Sequence, residues 1–330
     1  MRSTRFTDDV GIEVPLICGA MYPCSNPELV AAVSAAGGIG IIQPISMIFA
    51  HGHDLREGIR MIRSLTDKPV GFNAIVETSS KVYEDQMKKW VDIALEEGVR
   101  FFVTALGKPD WVVKRAHAVG GLVYHDVTSR KWALRALEFD VDGLICVNGR
   151  AGGHAGDQSP RALLEDLAIL DVPKVCAGGI GDERDFAAAL EMGYDAVQMG
   201  TRFIATTECT AHADYKAAIV SAREKDIVLT TRISGVPVSI IKTPYIDKIG
   251  TDAGWLAAKM LRHARLKHTM RLIYTLKSVW QLKQASLQGM NYKDFFQAGR
   301  SVEHIDGVEP AGDVVRRFAE ALAEAEAARV

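Results

Sequence analysis

Residues 172–203 read "VPKVCAGGIGDERDFAAALEMGYDAVQMGTRF". The runs at 172–180 and 194–203 are short and apolar without in/out alternation, the pattern of strands buried on both faces. Between them, residues 182–196 space their apolar side chains by three and four and meet Gly193, a residue suited to closing a helix. Strand, helix and strand in that order make one βα unit and the beginning of the next.

The same unit recurs along the chain. Earlier apolar runs are "VPLICGAM" (14–21), "GGIGIIQPI" (37–45), "PVGFNAIV" (69–76), "VRFFVTAL" (99–106), "GLVYHDVT" (121–128) and "VDGLICVNG" (141–149). Helical stretches such as "NPELVAAVSAAGG", "YEDQMKKWVDIALEEGV" and "PDWVVKRAHAVGG" lie between them. Eight β units with intervening helices predict an α/β protein, a (β/α)8 TIM barrel, whereas a doubly wound sheet usually has about five or six strands. The dinucleotide fingerprint is also missing, since Gly38-Ile39-Gly40 runs on into Ile41, Ile42 and Gln43. The barrel is expected over residues 1–224. Residues 225–330 are expected to form a mostly helical C-terminal extension that covers or flanks the active site within the same functional unit.

Composition narrows the function classes. Among 330 residues, 39 Lys and Arg face 41 Asp and Glu, so no global charge points to nucleic acid or an anionic membrane. Five widely spaced cysteines without a C-x-x-C pair fit neither a disulfide framework nor a zinc site. The opening residues hold no apolar signal core, and no stretch offers about 18 uninterrupted apolar residues. A soluble cytoplasmic protein acting on a small molecule is the expectation.

In a TIM barrel the active site lies at the C-terminal ends of the strands. That rule gathers Ala20, Met21, Gln43, Asn73, Thr104, Asp126 and Asn148 at one bowl. The loop "NGRAGGHAGD" (148–157) joins them with Gly152, Gly153 and His154, as do Ala177, Gly178 and Gly179, and Gln198, Met199, Gly200 and Thr201. Phosphate in this fold is usually held after strands 7 and 8, where small residues leave backbone N–H groups free to face an anion. Gly178, Gly179, Gly200 and Thr201 occupy those loops. His154 is placed over the bowl to move protons. The competing reading makes the glycines simple tight turns and His154 a stray ring in a solvated loop. Neither H-E-x-x-H nor G-x-S-x-G occurs near His154, and the pair His51 and His53 reads more readily as a solvated loop than as metal ligands, so no metal is expected. His125 reads as a packing ring.

The segments "AGGHAG" (151–156) and "VCAGGIGDERDFAAALEMGYDAVQMGTRFIATTEC" (175–209) resemble the flavin-dependent barrels that include nitronate monooxygenases, NAD(P)H:quinone reductases and flavin-type enoyl-acyl carrier protein reductases. The resemblance spans about residues 5–215. It implies FMN, with phosphate at Gly178, Gly179, Gly200 and Thr201, the ring over Ala20, Met21 and Asn73, and the catalytic histidine at His154. The departures are Arg150 where many members have Glu, Val147 where a polar residue is frequent, Asp126 where quinone reductases carry Lys, and Ala177 where they carry Ser. The resemblance points first to oxidation of alkyl nitronates with O2 and release of nitrite. The alternative is NAD(P)H-dependent reduction of a quinone or an enoyl thioester.

Between Asp252 and Asp294 there is no acidic residue, while Lys259, Arg262, Arg265, Lys267, Arg271, Lys277, Lys283 and Lys293 all occur. Such a surface would suit an acyl carrier protein or a coenzyme A thioester, a solvated face, or a subunit contact in a homodimer.

Overall fold

The structure is a computed structural model that describes residues 3–77, 80–231, 237–251, 283–284, 286–288 and 295–327. Eight parallel strands close into a barrel: β1 (Leu16–Cys18), β2 (Ile39–Ile42), β3 (Gly71–Ile75), β4 (Phe101–Ala105), β5 (Leu122–Val127), β6 (Gly143–Val147), β7 (Lys174–Ala177) and β8 (Ala196–Met199). Strand β8 pairs back onto β1 through Ile17 opposite Gln198 and completes the circle. Each apolar run of the sequence contains one of these strands.

Twelve α-helices are described: α1 (Arg5–Val10), α2 (Pro27–Ala35), α3 (Leu55–Leu65), α4 (Lys81–Glu96), α5 (Asp110–His117), α6 (Arg130–Leu137), α7 (Pro160–Asp166), α8 (Glu183–Met192), α9 (Thr201–Ile204), α10 (Ala213–Ser221), α11 (Pro244–Ile249) and α12 (Ala311–Ala327). Their ends follow from local chemistry. The Asp182 carboxylate accepts from the Asp185 N–H at the start of α8, and Gly193, at φ 110°, closes it in the left-handed conformation.

Period-two alternation divides the strand side chains between two cores. Ile17, Ile41, Val103, Tyr124, Ile145, Val175 and Ala196 fill the barrel interior. Cys18, Ile42, Phe72, Phe102, Cys146, Cys176 and Met199 face the surrounding helices. From below, Phe6 on α1 plugs the interior, its ring edge-on to both Phe101 and Tyr124 at 5.6 Å.

The chain after β8 takes an excursion before it closes the helical ring. Helix α12 packs between α2 and α8, where Phe318 stacks on Phe186 at 5.3 Å and Arg317 pairs with Glu183 at 3.0 Å. The ring is therefore completed from the far side of residue 224. The extension is helical in part, but it also contributes a two-stranded antiparallel sheet, β9 (Ile227–Thr230) with β10 (Val238–Ile241). Most of the basic stretch between Lys259 and Lys293 lies outside the described residues. Lys283, which is described, donates to the Phe49 carbonyl in the loop after β2 at 2.5 Å.

Candidate active site

The loops after β7 and β8 build a concave backbone surface. Gly178 and Gly179 have φ 117° and 85°, values that favour glycine. A Cβ at Gly178 would lie 2.5 Å from the Ala151 nitrogen, and one at Gly179 would lie 2.6 Å from Arg150 Nε. Asn148, fully buried, holds this approach together. Its Nδ2 donates to the Gly178 carbonyl at 3.0 Å, and its Oδ1 accepts from the Arg150 N–H at 2.8 Å. Across the mouth, Gly200 precedes α9, and Thr201 Oγ1 accepts from the Gly299 N–H at 3.0 Å. The Gly179 and Gly200 N–H groups meet no acceptor among the described residues, so both are available to an anion.

The mouth itself is lined by side chains. Asn73, Asp126 and Gln198 share the interior face of their strands by the same alternation that places Val103, Tyr124 and Ala196 there. Asp126 Oδ1 and Gln198 Oε1 are buried without a hydrogen-bond partner among the described residues. Buried acceptors of this kind cost about 1–3 kcal/mol each when left unmet, so the pair can accept donors from a bound molecule. Burial pushes the Asp126 carboxyl up to about 7. Ala20 packs on the interior cluster, and Met21 brings its sulfur within 3.3 Å of where a Gly200 Cβ would stand. Met21 is fixed through its backbone, donating to Ser25 Oγ at 2.8 Å and accepting from Ser46 Oγ at 3.1 Å.

The histidine loop is anchored by the extension. The Gly153 carbonyl accepts from the Ser239 N–H of β10 at 2.8 Å, and the Arg150 carbonyl accepts from the Arg300 N–H at 2.9 Å. Gly152 has no room for a side chain because the Gly299 nitrogen would lie 2.9 Å from its Cβ. His154 projects from this pinned loop and makes no hydrogen bond to the described residues. Its ring is exposed by surface area, yet enough protein surrounds it that desolvation holds its pKa below the ordinary 6.5, leaving a neutral imidazole at pH 7. Arg150, one of the departures in this loop, pairs with Glu224 at 3.1 Å, and Arg300 pairs with the same carboxylate.

Two sequence expectations are redirected by strand alternation. Thr104 faces the helices, where its hydroxyl meets His125 Nδ1 at 2.8 Å, and burial lowers His125 to about 4. The Met199 side chain likewise turns into the outer core, so its backbone alone reaches the mouth. His51 bonds the Pro23 carbonyl at 2.8 Å through Nε2. Among the described residues, the one cluster with metal-ligand spacing is Asp182, Asp185 and His304, in which His304 Nδ1 is already engaged with Asp185 at 2.9 Å. All five cysteines are free and buried, and no described helix is long and apolar enough to cross a membrane.

Sequence reasoning missed Arg202, whose guanidinium is buried and donates to the Ala205 and Gly307 carbonyls at 2.6 and 2.7 Å. It ties α9 to the returning chain. An arginine beside "MGT" is the signal, but its partners lie too far along the sequence to be read locally.

A barrel of this kind hosts many chemistries, and comparison with known proteins supplies the class. The nitronate monooxygenase family profile matches residues 3–320, and the chain belongs to that family. A nitronate monooxygenase of Pseudomonas aeruginosa is 31% identical over 70% of this chain and 77% of its own. The (3aS,4S,5R,7aS)-5-hydroxy-7a-methyl-1-oxo-octahydro-1H-indene-4-carboxyl-CoA dehydrogenase of Rhodococcus jostii is 30% identical over 77% of this chain and 71% of its own. Among solved structures, FabK from Thermotoga maritima superposes with a TM-score of 0.82 at 30% identity, covering 100% of this chain and 99% of that one. The protein is thus an oxidoreductase, and its family implies a flavin.

Proposed function

We propose that the chain binds FMN and oxidises alkyl nitronates with molecular oxygen, releasing nitrite. The observation that carries the cofactor reading is the pairing of a glycine cradle with two orphaned buried acceptors, Asp126 Oδ1 and Gln198 Oε1, at one mouth. Gly178, Gly179, Gly200 and Thr201 would hold the phosphate; Ala20, Met21, Asn73, Asp126, Ala177 and Gln198 would hold the ring system, with Gly152 and Gly153 bringing their loop alongside. Bound FMN supplies the electron-transfer chemistry.

The chain's own contribution is proton and charge management. A neutral His154 imidazole accepts the α-proton of a nitroalkane, or donates a hydrogen bond to a nitro oxygen of the preformed nitronate. Its loop is held on both sides by backbone bonds from β10 and Arg300, so the ring is carried on a fixed support. The barrel and the extension act as one unit, because the extension pins this loop and supplies the last helix of the ring.

A second reading, NAD(P)H-dependent reduction of a quinone or enoyl thioester or oxidation of a coenzyme A thioester, is favoured by the names of the Rhodococcus relative and the Thermotoga neighbour. Anaerobic mixing of the purified protein with ethyl nitronate, NADH, NADPH or a CoA thioester, followed by flavin absorbance, separates the two. Bleaching by the nitronate with nitrite formed on admission of air supports the first reading. Bleaching by a pyridine nucleotide or a saturated thioester, with none by nitronate, overturns it.

A further inference from the structure

The carboxyl of Asp126 sits at the C-terminal end of β5 on the interior face, opposite Ile145 in the register with β6. Its interior neighbours on the adjoining strands are Val103 and Ala105 of β4 and Ile145 and Val147 of β6, none of which can titrate or donate from its side chain. Asp126 makes neither hydrogen bond nor ion pair among the described residues, and Oδ1 is sealed from solvent. The titratable groups around it are all committed elsewhere or set apart. Tyr124, two residues down the same face, bonds Asp9 at 3.3 Å. His125 turns outward to Thr104, Cys146 lies on the outer side of β6, and His154 belongs to the loop above.

A lone carboxyl in such surroundings holds its proton well above the usual carboxylate range, because burial disfavours the ionised form. Added negative charge at the mouth raises its hold on the proton further. We propose that Asp126 is the proton-storing group of the flavin site, ionised beside the oxidised flavin in mildly alkaline solution and taking up a proton from solvent when electrons reach the cofactor. The electrons come from the organic substrate, or in the test from dithionite; the proton comes from water, and the Asp126 carboxylate becomes the neutral carboxyl. The proposal rests on the reading that FMN occupies this mouth. Asp126 then answers the charge that arrives there, a task that a fixed cation would perform without proton exchange.

The experiment is anaerobic reduction of the FMN holoenzyme by dithionite in weakly buffered solution at about pH 8, above the value near 7 of the free site, with proton uptake read from an indicator. Wild type is expected to take up about one proton more per flavin than Asp126→Asn, since that variant has no carboxylate to protonate. Equal uptake in the two overturns the proposal. A second readout needs no variant: the reduced-minus-oxidised infrared spectrum of wild type at the same pH should gain a protonated carboxyl band and lose a carboxylate band, and a spectrum without this exchange overturns the proposal. Wild-type protein that binds no flavin at all removes the cofactor reading, and this proposal falls with it. A flavin-loaded protein without the exchange removes the proposal alone.

Discussion

The glycine cradle and the barrel mouth lie side by side but are built in opposite ways. The cradle is backbone: Gly178 and Gly179 take φ values that suit glycine, and their missing side chains let residues 150–151 come close. The mouth is side chain: Asn73, Asp126 and Gln198 project from three separate strands, and His154 is carried on the loop after β6, which the extension holds. The difference teaches where tolerance should lie. Cradle positions should fail when anything is added, and mouth positions should fail when a functional group is taken away while the fold persists.

The largest expected effect belongs to the mouth. His154→Ala should keep FMN and lose roughly 10²- to 10⁴-fold of turnover, the usual range for a general acid–base group. The loss should be greater with a neutral nitroalkane, which must be deprotonated, than with the preformed nitronate. Because only the neutral imidazole accepts a proton, kcat/KM for the nitroalkane should fall as pH drops through a value below 6.5, and that acid limb should vanish in the variant. Steady-state kinetics with both substrates across pH reads this directly, and equal losses would assign His154 an orienting role.

Next comes the cradle. Gly178→Ala places a Cβ at 2.5 Å from the Ala151 nitrogen in a left-handed conformation, so roughly 1–3 kcal/mol of strain must be absorbed by the loop. Thermal unfolding and FMN titration should both register it, with affinity falling more than about tenfold, about 1.4 kcal/mol. Unchanged affinity would detach the cradle from the cofactor. Asn148→Ala sits between the two regions, since it removes the buried bonds to Gly178 and Arg150. A destabilisation of about 1–3 kcal/mol in denaturant unfolding is expected, with His154-dependent activity and FMN affinity both reduced.

Most of the cradle was legible in the sequence because glycine spacing after the last two apolar runs is a local signal. The eight strands were legible for the same reason, each being a short apolar run closed by polar or small residues. The mouth was legible only in part. Assigning Thr104 and Met199 to the bowl treated the end of a strand as one place, whereas adjacent residues there face opposite cores. The β9–β10 pair was hidden within a segment read as helical, although "IVLT" (227–230) and "VSII" (238–241) carry the β-branched content of strands. That α12 closes the ring, and that β10 and Arg300 hold the histidine loop, depends on contacts between distant residues that no local pattern encodes.

The central claim is that backbone N–H groups at Gly200 and its neighbours bind the cofactor's phosphate while the mouth binds its ring. It is tested most directly by comparing FMN with riboflavin, which lacks the phosphate, in wild type and in Gly200→Asp. Wild type should prefer FMN by at least about tenfold in Kd, on the order of 1.4 kcal/mol. In the folded variant, where a carboxylate repels the phosphate, riboflavin affinity should hold and the preference should disappear. A preference for FMN that survives intact in Gly200→Asp would contradict the account and place the phosphate elsewhere.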